Sequence, residues 1–188
     1  MRKNFGPKSY LYPKPVLIIA TYGEDGAPDA MNAAWGCIAD TDRIALYLSG
    51  SHQTVRNILA RRAFTVSMGT APYEAACDYV GLVSARDVPD KVARAGFHTT
   101  RSEFVDAPLI DELPMALECR LVSFDEDSEL LLGEIVNAGA DESVLDGEGR
   151  IDPDKLRPIT YDSIHRTYRA LGEVVGRAYS DGKKFQES

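Results

Sequence analysis

The chain reads as a series of extended segments joined by tight turns, with only brief helical interruptions and no regular strand–helix alternation. That order argues against a doubly wound parallel sheet and for an antiparallel barrel. Val16 to Tyr22 is rich in β-branched residues and runs into Gly23-Glu-Asp-Gly26, a turn signal, so a hairpin is expected with 16–22 against 29–38. Arg43 to Leu48 alternates, with Ile44, Leu46 and Leu48 on one side. The period then changes: Val55, Ile58 and Leu59 have the spacing of a short amphipathic helix, after which Phe64 to Met68 returns to extended structure. Two short helices are expected at 72–80 and 89–96, and a second hairpin at 115–124 and 129–138 across Asp125-Glu-Asp-Ser128. Residues 141–158 read as an acidic, turn-rich loop, and the tail from Tyr161 shows no strong periodicity.

A length of 188 residues fits one domain over the whole chain. Acidic residues outnumber basic ones 29 to 21, a net charge of −8, so the molecular field repels polyanions and disfavours nucleic acid and anionic membrane as partners. The first apolar run, Val16 to Ala20, is too short for a secretory signal, and a cytoplasmic location is expected. Cys37, Cys77 and Cys119 lie about forty residues apart, which suits neither a disulfide framework nor zinc, and they read as reduced, mostly buried thiols. His52, His98 and His165 lack the close spacing of a metal site. No Gly-x-Gly-x-x-Gly follows a strand, so nothing points to a Rossmann nucleotide site.

Three segments carry candidate chemistry. In Leu48-Ser-Gly-Ser-His-Gln-Thr-Val-Arg-Asn57 a strand empties into a helix through hydroxyl residues. A helix start offers unpaired N–H groups and the positive end of the dipole, which suits a phosphate; equally, Ser51 could serve only as the N-cap. Arg56, Arg61 and Arg62 nearby are a local exception in an acidic protein, although solvated arginines are common. Ala30-Met-Asn-Ala-Ala-Trp-Gly36 is a strand of small residues against which a flat ligand could lie, with Trp35 read first as core filler. In Asp78-Tyr-Val-Gly81, Tyr79 could stack on an aromatic ligand, and Lys91 beyond it could meet an anion.

Taken together and in order, these segments resemble the flavin reductase-like, FMN-binding split-barrel family, flavoredoxin-type members included. The resemblance runs through Pro15-Val-Leu-Ile-Ile-Ala-Thr, Met31-Asn-Ala-Ala-Trp-Gly, Ile44-Ala-Leu-Tyr-Leu-Ser with His52-Gln-Thr and Asn57-Ile, Phe64-Thr-Val-Ser, Asp78-Tyr-Val-Gly with Asp90-Lys91, Pro114-Met-Ala-Leu-Glu-Cys119 and Gly133-Glu-Ile-Val, covering about residues 10–180. It implies a mainly β fold, a Greek-key split barrel with a few short helices, binding FMN as a homodimer. Asn32, Ala33, Ala34 and Trp35 would line the flavin ring. Ser49, Ser51, His52, Thr54 and Asn57 would surround the phosphate, and Tyr79, Gly81 and Lys91 would lie at the ring's other margin.

The function so implied is that of a flavin-dependent oxidoreductase reduced by NADH or NADPH, with the chemistry on the flavin and no protein residue required for the hydride step. The alternative is a flavoredoxin-like electron carrier reduced by a redox protein partner. Backbone N–H groups near Asn32 to Trp35, or the Lys91 ammonium, are expected to stabilise negative charge at the ring's N1–C2 edge.

Overall fold

The computed structural model describes residues 1–186. The strands are β1 (Leu17–Tyr22), β2 (Pro28–Ala33), β3 (Gly36–Asp40), β4 (Arg43–Tyr47), β5 (Ala63–Met68), β6 (Thr99–Arg101), β7 (Pro108–Ile110), β8 (Met115–Asp125), β9 (Leu130–Ala140), β10 (Ile159–Asp162) and β11 (Thr167–Ala170). The helices are α1 (Gln53–Arg61), α2 (Glu74–Leu82), α3 (Lys91–Arg94) and α4 (Pro153–Leu156).

Seven strands form one antiparallel sheet in the order β2-β1-β5-β8-β9-β4-β3. Its two edge strands, β2 and β3, follow each other in the chain and are separated only by Ala34 and Trp35. A linker of two residues spans on the order of 10 Å at most, so the sheet has to curl until its opposite ends meet. The result is a split β-barrel whose seam is the Ala34–Trp35 crossing, where the Tyr47 amide donates to the Trp35 carbonyl at 2.9 Å. The expected single strand over 29–38 is therefore corrected: the chain pairs Leu17 with Ala33, then leaves β1 altogether, and Gly36 pairs with Leu46.

Inside the barrel, Leu17, Ile19, Ile44, Leu46, Phe64, Val66, Leu117 and Leu131 pack with Val55 and Ile58 of α1. On the outer face Val16, Ile18, Ala20 and Ala30 meet Cys77 and Val80 of α2, Val92 of α3 and Phe97. Strand β1 is thus covered on both sides, which explains why it reads as an unbroken apolar run rather than an alternating one. Burial pushes the Cys77 thiol up to about 11 and the Cys119 thiol up to about 12, so these two are inert core groups. Cys37 departs from the expectation of a buried thiol, because edge strand β3 leaves it exposed.

The tail expected to lack regular structure forms the β10–β11 hairpin, which pairs Tyr161 with Tyr168. It is tied to the N-terminal arm through buried Asp162, which accepts hydrogen bonds from the Tyr12 hydroxyl, His165 Nδ1 and the amides of Ile164 and His165. The Tyr12 bond above all, with those from His165 and the backbone, holds the Asp162 carboxyl far below the usual carboxylate range despite its desolvation. A carboxyl depressed in the folded state stabilises it above its ordinary unfolded value and loses that contribution as pH falls toward the folded value. The arm is therefore expected to loosen below about pH 4, seen as a change in tyrosine near-ultraviolet dichroism. Asp162→Asn should abolish that acid dependence.

Candidate functional site

A cleft of ≈ 400 Å³ opens at the seam. Its floor is Met31, Asn32, Ala33, Ala34 and Trp35; Tyr47, Leu48 and His52 bound one side, Asp78, Gly81 and Leu82 of α2 another, and Tyr161, Arg166 and Tyr168 of the β10–β11 hairpin the third. A second recess of ≈ 250 Å³ shares Met31, Asn32, His52, Gly81 and Leu82 with the first and continues it past Gln53, Thr54, Ser84, Arg86 and Lys91. The two make one elongated depression, flat and partly aromatic at one end, rich in hydrogen-bond donors at the other.

The flat end exists because the floor residues are small. Gly81 lets α2 lie directly on β2: a Cβ there would stand 2.8 Å from the Cβ of Asn32. The Asn32 amide donates to the Cys77 carbonyl at 3.0 Å and to the Tyr168 hydroxyl at 3.4 Å, and the Tyr168 hydroxyl donates to Asp78 Oδ1 at 2.7 Å. Burial first, and the bond to Asp78 next, push the Tyr168 phenol well above its ordinary value, so it stays protonated throughout the physiological range. Trp35 is not core filler: it is half exposed, on the floor of the cleft, with the Lys14 ammonium 4.8 Å from its ring centroid. Lys14 is itself buried and donates to the Ser9 carbonyl and to Ser163 Oγ, which fixes the charge behind the indole.

The donor-rich end is built on the start of α1. His52 occupies the N-cap without a side-chain cap, in place of the Ser51 cap the sequence allows, and the amides of Gln53, Thr54 and Val55 have no protein acceptor among the described residues. These N–H groups carry the positive end of the helix dipole. Arg86 reaches over from the loop after α2 and donates to the Ser51 carbonyl at 3.1 Å. No carboxylate lines this recess, although the chain carries a net charge of −8.

Beneath it, Asp29 of β2 is buried and gathers donors from two other elements. Thr54 Oγ1 and Asn57 Nδ2 donate to its Oδ2 at 2.8 and 3.0 Å, and Lys91 Nζ lies 3.1 Å from its Oδ1. Lys91 also donates to the Val80 and Val83 carbonyls.

Of the residues expected from the sequence, Asn32, Ala33, Ala34, Trp35, His52 and Gly81 line the flat end, and Thr54 and Lys91 line the recess. The remaining residues are placed differently. Ser49 and Ser51 face each other at 3.1 Å and line neither part. Asn57 is spent on Asp29 and Gln53. Tyr79 packs with the outer core on the far side of α2. The Lys91 ammonium, expected at a ring edge, lies against Asp29 and two carbonyls. Arg61 and Arg62, noted as a local exception in an acidic chain, brace the Gly23 and Leu121 carbonyls. Tyr161, Arg166, Ser84 and Arg86 were not anticipated; Arg86 alone carried a signal, as a cation just after the Asp78-Tyr-Val-Gly81 segment.

Similarity to known proteins agrees with this architecture. The structure of flavoredoxin of Desulfovibrio vulgaris (Miyazaki F) matches with a TM-score of 0.92 and 36% sequence identity, covering 97% of this chain and 100% of that one. The flavoredoxin from Methanosarcina acetivorans matches with a TM-score of 0.89 and 25% identity, covering 98% and 99%. An uncharacterized protein of Aquifex aeolicus is 25% identical over 173 residues, 86% of each chain. The flavin reductase like domain family matches residues 9–171, and this chain belongs to that family.

Proposed function

We propose that the chain is an FMN-binding oxidoreductase that holds the flavin phosphate at the first turn of α1 and the ring along the Met31–Trp35 seam. The observation that carries this reading is the unpaired first turn of α1, whose Gln53 and Thr54 line, at one end of a flat cleft, a recess free of carboxylates. The donor set fits a phosphomonoester: backbone N–H groups at a helix start, the Ser84 hydroxyl and the Arg86 guanidinium. The bound flavin supplies hydride and electron transfer. The protein's contribution is placement. Asn32 and Gly81 set the spacing between β2 and α2, Trp35 and the tyrosines of β10–β11 give the ring apolar walls, and the Asp29 cluster keeps the α1 turn in position. Arg86→Ala should weaken FMN about tenfold, the order expected for one charge-assisted hydrogen bond, while leaving riboflavin unchanged. Fluorescence titration reads both.

The reductant proposed first is NADH or NADPH. A second reading, an electron carrier reduced by a protein partner, is favoured by the likeness to two flavoredoxins over nearly the whole chain. Anaerobic addition of NADH and NADPH to the flavin-loaded protein separates the two. Rapid bleaching supports the first, and a yellow protein that only a reduced redox protein bleaches supports the second. The exposed apolar side chains of Trp35, Ile38 and Tyr47 near edge strand β3 fit a second copy of the chain, and we expect twice the monomer mass in light scattering.

A further inference from the structure

Asp78 is the only acidic residue lining the flat end of the cleft among the described residues, and the phosphate recess does not account for it. Its Oδ1 accepts from the Tyr168 hydroxyl at 2.7 Å; its Oδ2 has no hydrogen-bond donor, and no lysine or arginine pairs with it, among the described residues. The carboxylate is held firmly. Tyr168 is fixed in turn by Asn32, and Asn32 by the Cys77 carbonyl one residue before Asp78, so α2, β2 and β11 close a ring of contacts around it. A carboxylate oxygen of a half-buried residue, at the wall of a flat cleft without a donor, is matched by a planar ligand that presents an N–H from its edge.

The flavin ring has one such group, the imide N–H of its pyrimidine portion. Resting on the FMN reading above, we infer that the free oxygen of Asp78 accepts this imide N–H, so that Asp78 sets which way the ring lies in the cleft. Two consequences follow from its charge. A ring without that N–H loses the hydrogen bond and meets an unpaired carboxylate instead. Reduction, which places electron density on the same pyrimidine portion, is opposed by the neighbouring negative charge, so Asp78 holds the flavin at a lower potential than a neutral residue would.

The test titrates FMN and 3-methyl-FMN into the unaltered protein, Asp78→Asn and Asp78→Ala by flavin fluorescence, and measures the midpoint potential of each FMN complex. The unaltered protein is expected to bind FMN at least about tenfold more tightly than 3-methyl-FMN. Asp78→Asn, whose amide oxygen still accepts, should keep most of that preference; Asp78→Ala should lose it. Both substitutions should move the midpoint to more positive values. Equal affinity of the unaltered protein for the two flavins, or an unmoved midpoint in Asp78→Asn, overturns the inference while leaving the FMN reading intact. Failure to bind FMN at all overturns the FMN reading and this one with it. Should Asp78→Ala not fold, the comparison of the two flavins on the unaltered protein still decides.

Discussion

Lys91→Met is expected to destabilise the fold by about 3–5 kcal/mol, the usual cost of removing one partner from a buried ion pair. Lys91 and Asp29 are each 2% exposed, and their charges lie 3.1 Å apart between α3 and β2. Without the ammonium, Asp29 keeps the hydrogen bonds from Thr54 and Asn57 but is left an uncompensated charge away from water. The companion variant Lys91→Met with Asp29→Asn removes both charges and should recover most of the loss, since the neutral amide oxygen can still accept from Thr54. Denaturant unfolding of the two variants measures the difference directly. Lys91→Met at full stability would show that the pair contributes nothing to holding α1 and α3 on β2.

Gly81→Val has the second largest expected effect, and it falls on the cleft. The new Cβ would sit 2.8 Å from the Asn32 Cβ and 3.8 Å from its Cα, atoms that cannot swing aside as the tip of a long side chain could. Helix α2 must lift from β2, which strains the Asn32 bonds to Cys77 and Tyr168 and moves the wall that carries Asp78. Overpacking of this kind costs about 1–3 kcal/mol of stability. The loss of ligand affinity should be larger than the loss of stability suggests, about hundredfold for FMN, because the displaced helix lines both the flat end and the recess. Thermal unfolding and flavin titration of the same preparation separate the two effects; a variant that binds FMN normally would show that the close approach of α2 to β2 is irrelevant to the cleft.

The sequence was most informative where local pattern and tertiary role coincide. The hairpin from Val16 to Tyr22, the Ile44-Leu46-Leu48 alternation and the start of α1 after Ser51 were legible because each follows from side-chain period or turn chemistry within a few residues. The break at Ala34–Trp35 was not. Small residues on either side look like one continuous strand, and only closure of the sheet on itself makes the chain change partners there. The β10–β11 hairpin was missed for a related reason: its strands are four residues each, mostly half-exposed or exposed, and its register is set by contacts with the N-terminal arm and α2 rather than by its own pattern. With it went Tyr161 and Arg166, part of one wall of the cleft. Lys91 reads in the sequence as a cation that could meet an anion, and the carboxylate it meets within the fold, Asp29 on β2, lies far away in sequence. Ser49 and Ser51 face each other outside both parts of the depression, a direction that residue type alone does not reveal.

The central claim is that the first turn of α1 grips a phosphate whose attached ring lies along the seam. It is tested most directly by titrating the purified protein with FMN and with riboflavin, which differ only in that phosphate, and following the flavin's fluorescence and absorption. Saturable binding of FMN with a perturbed flavin spectrum is expected, and riboflavin weaker by about hundredfold, a loss of about 2.7 kcal/mol. Equal affinities for the two, or no binding of FMN at micromolar concentration, would contradict it.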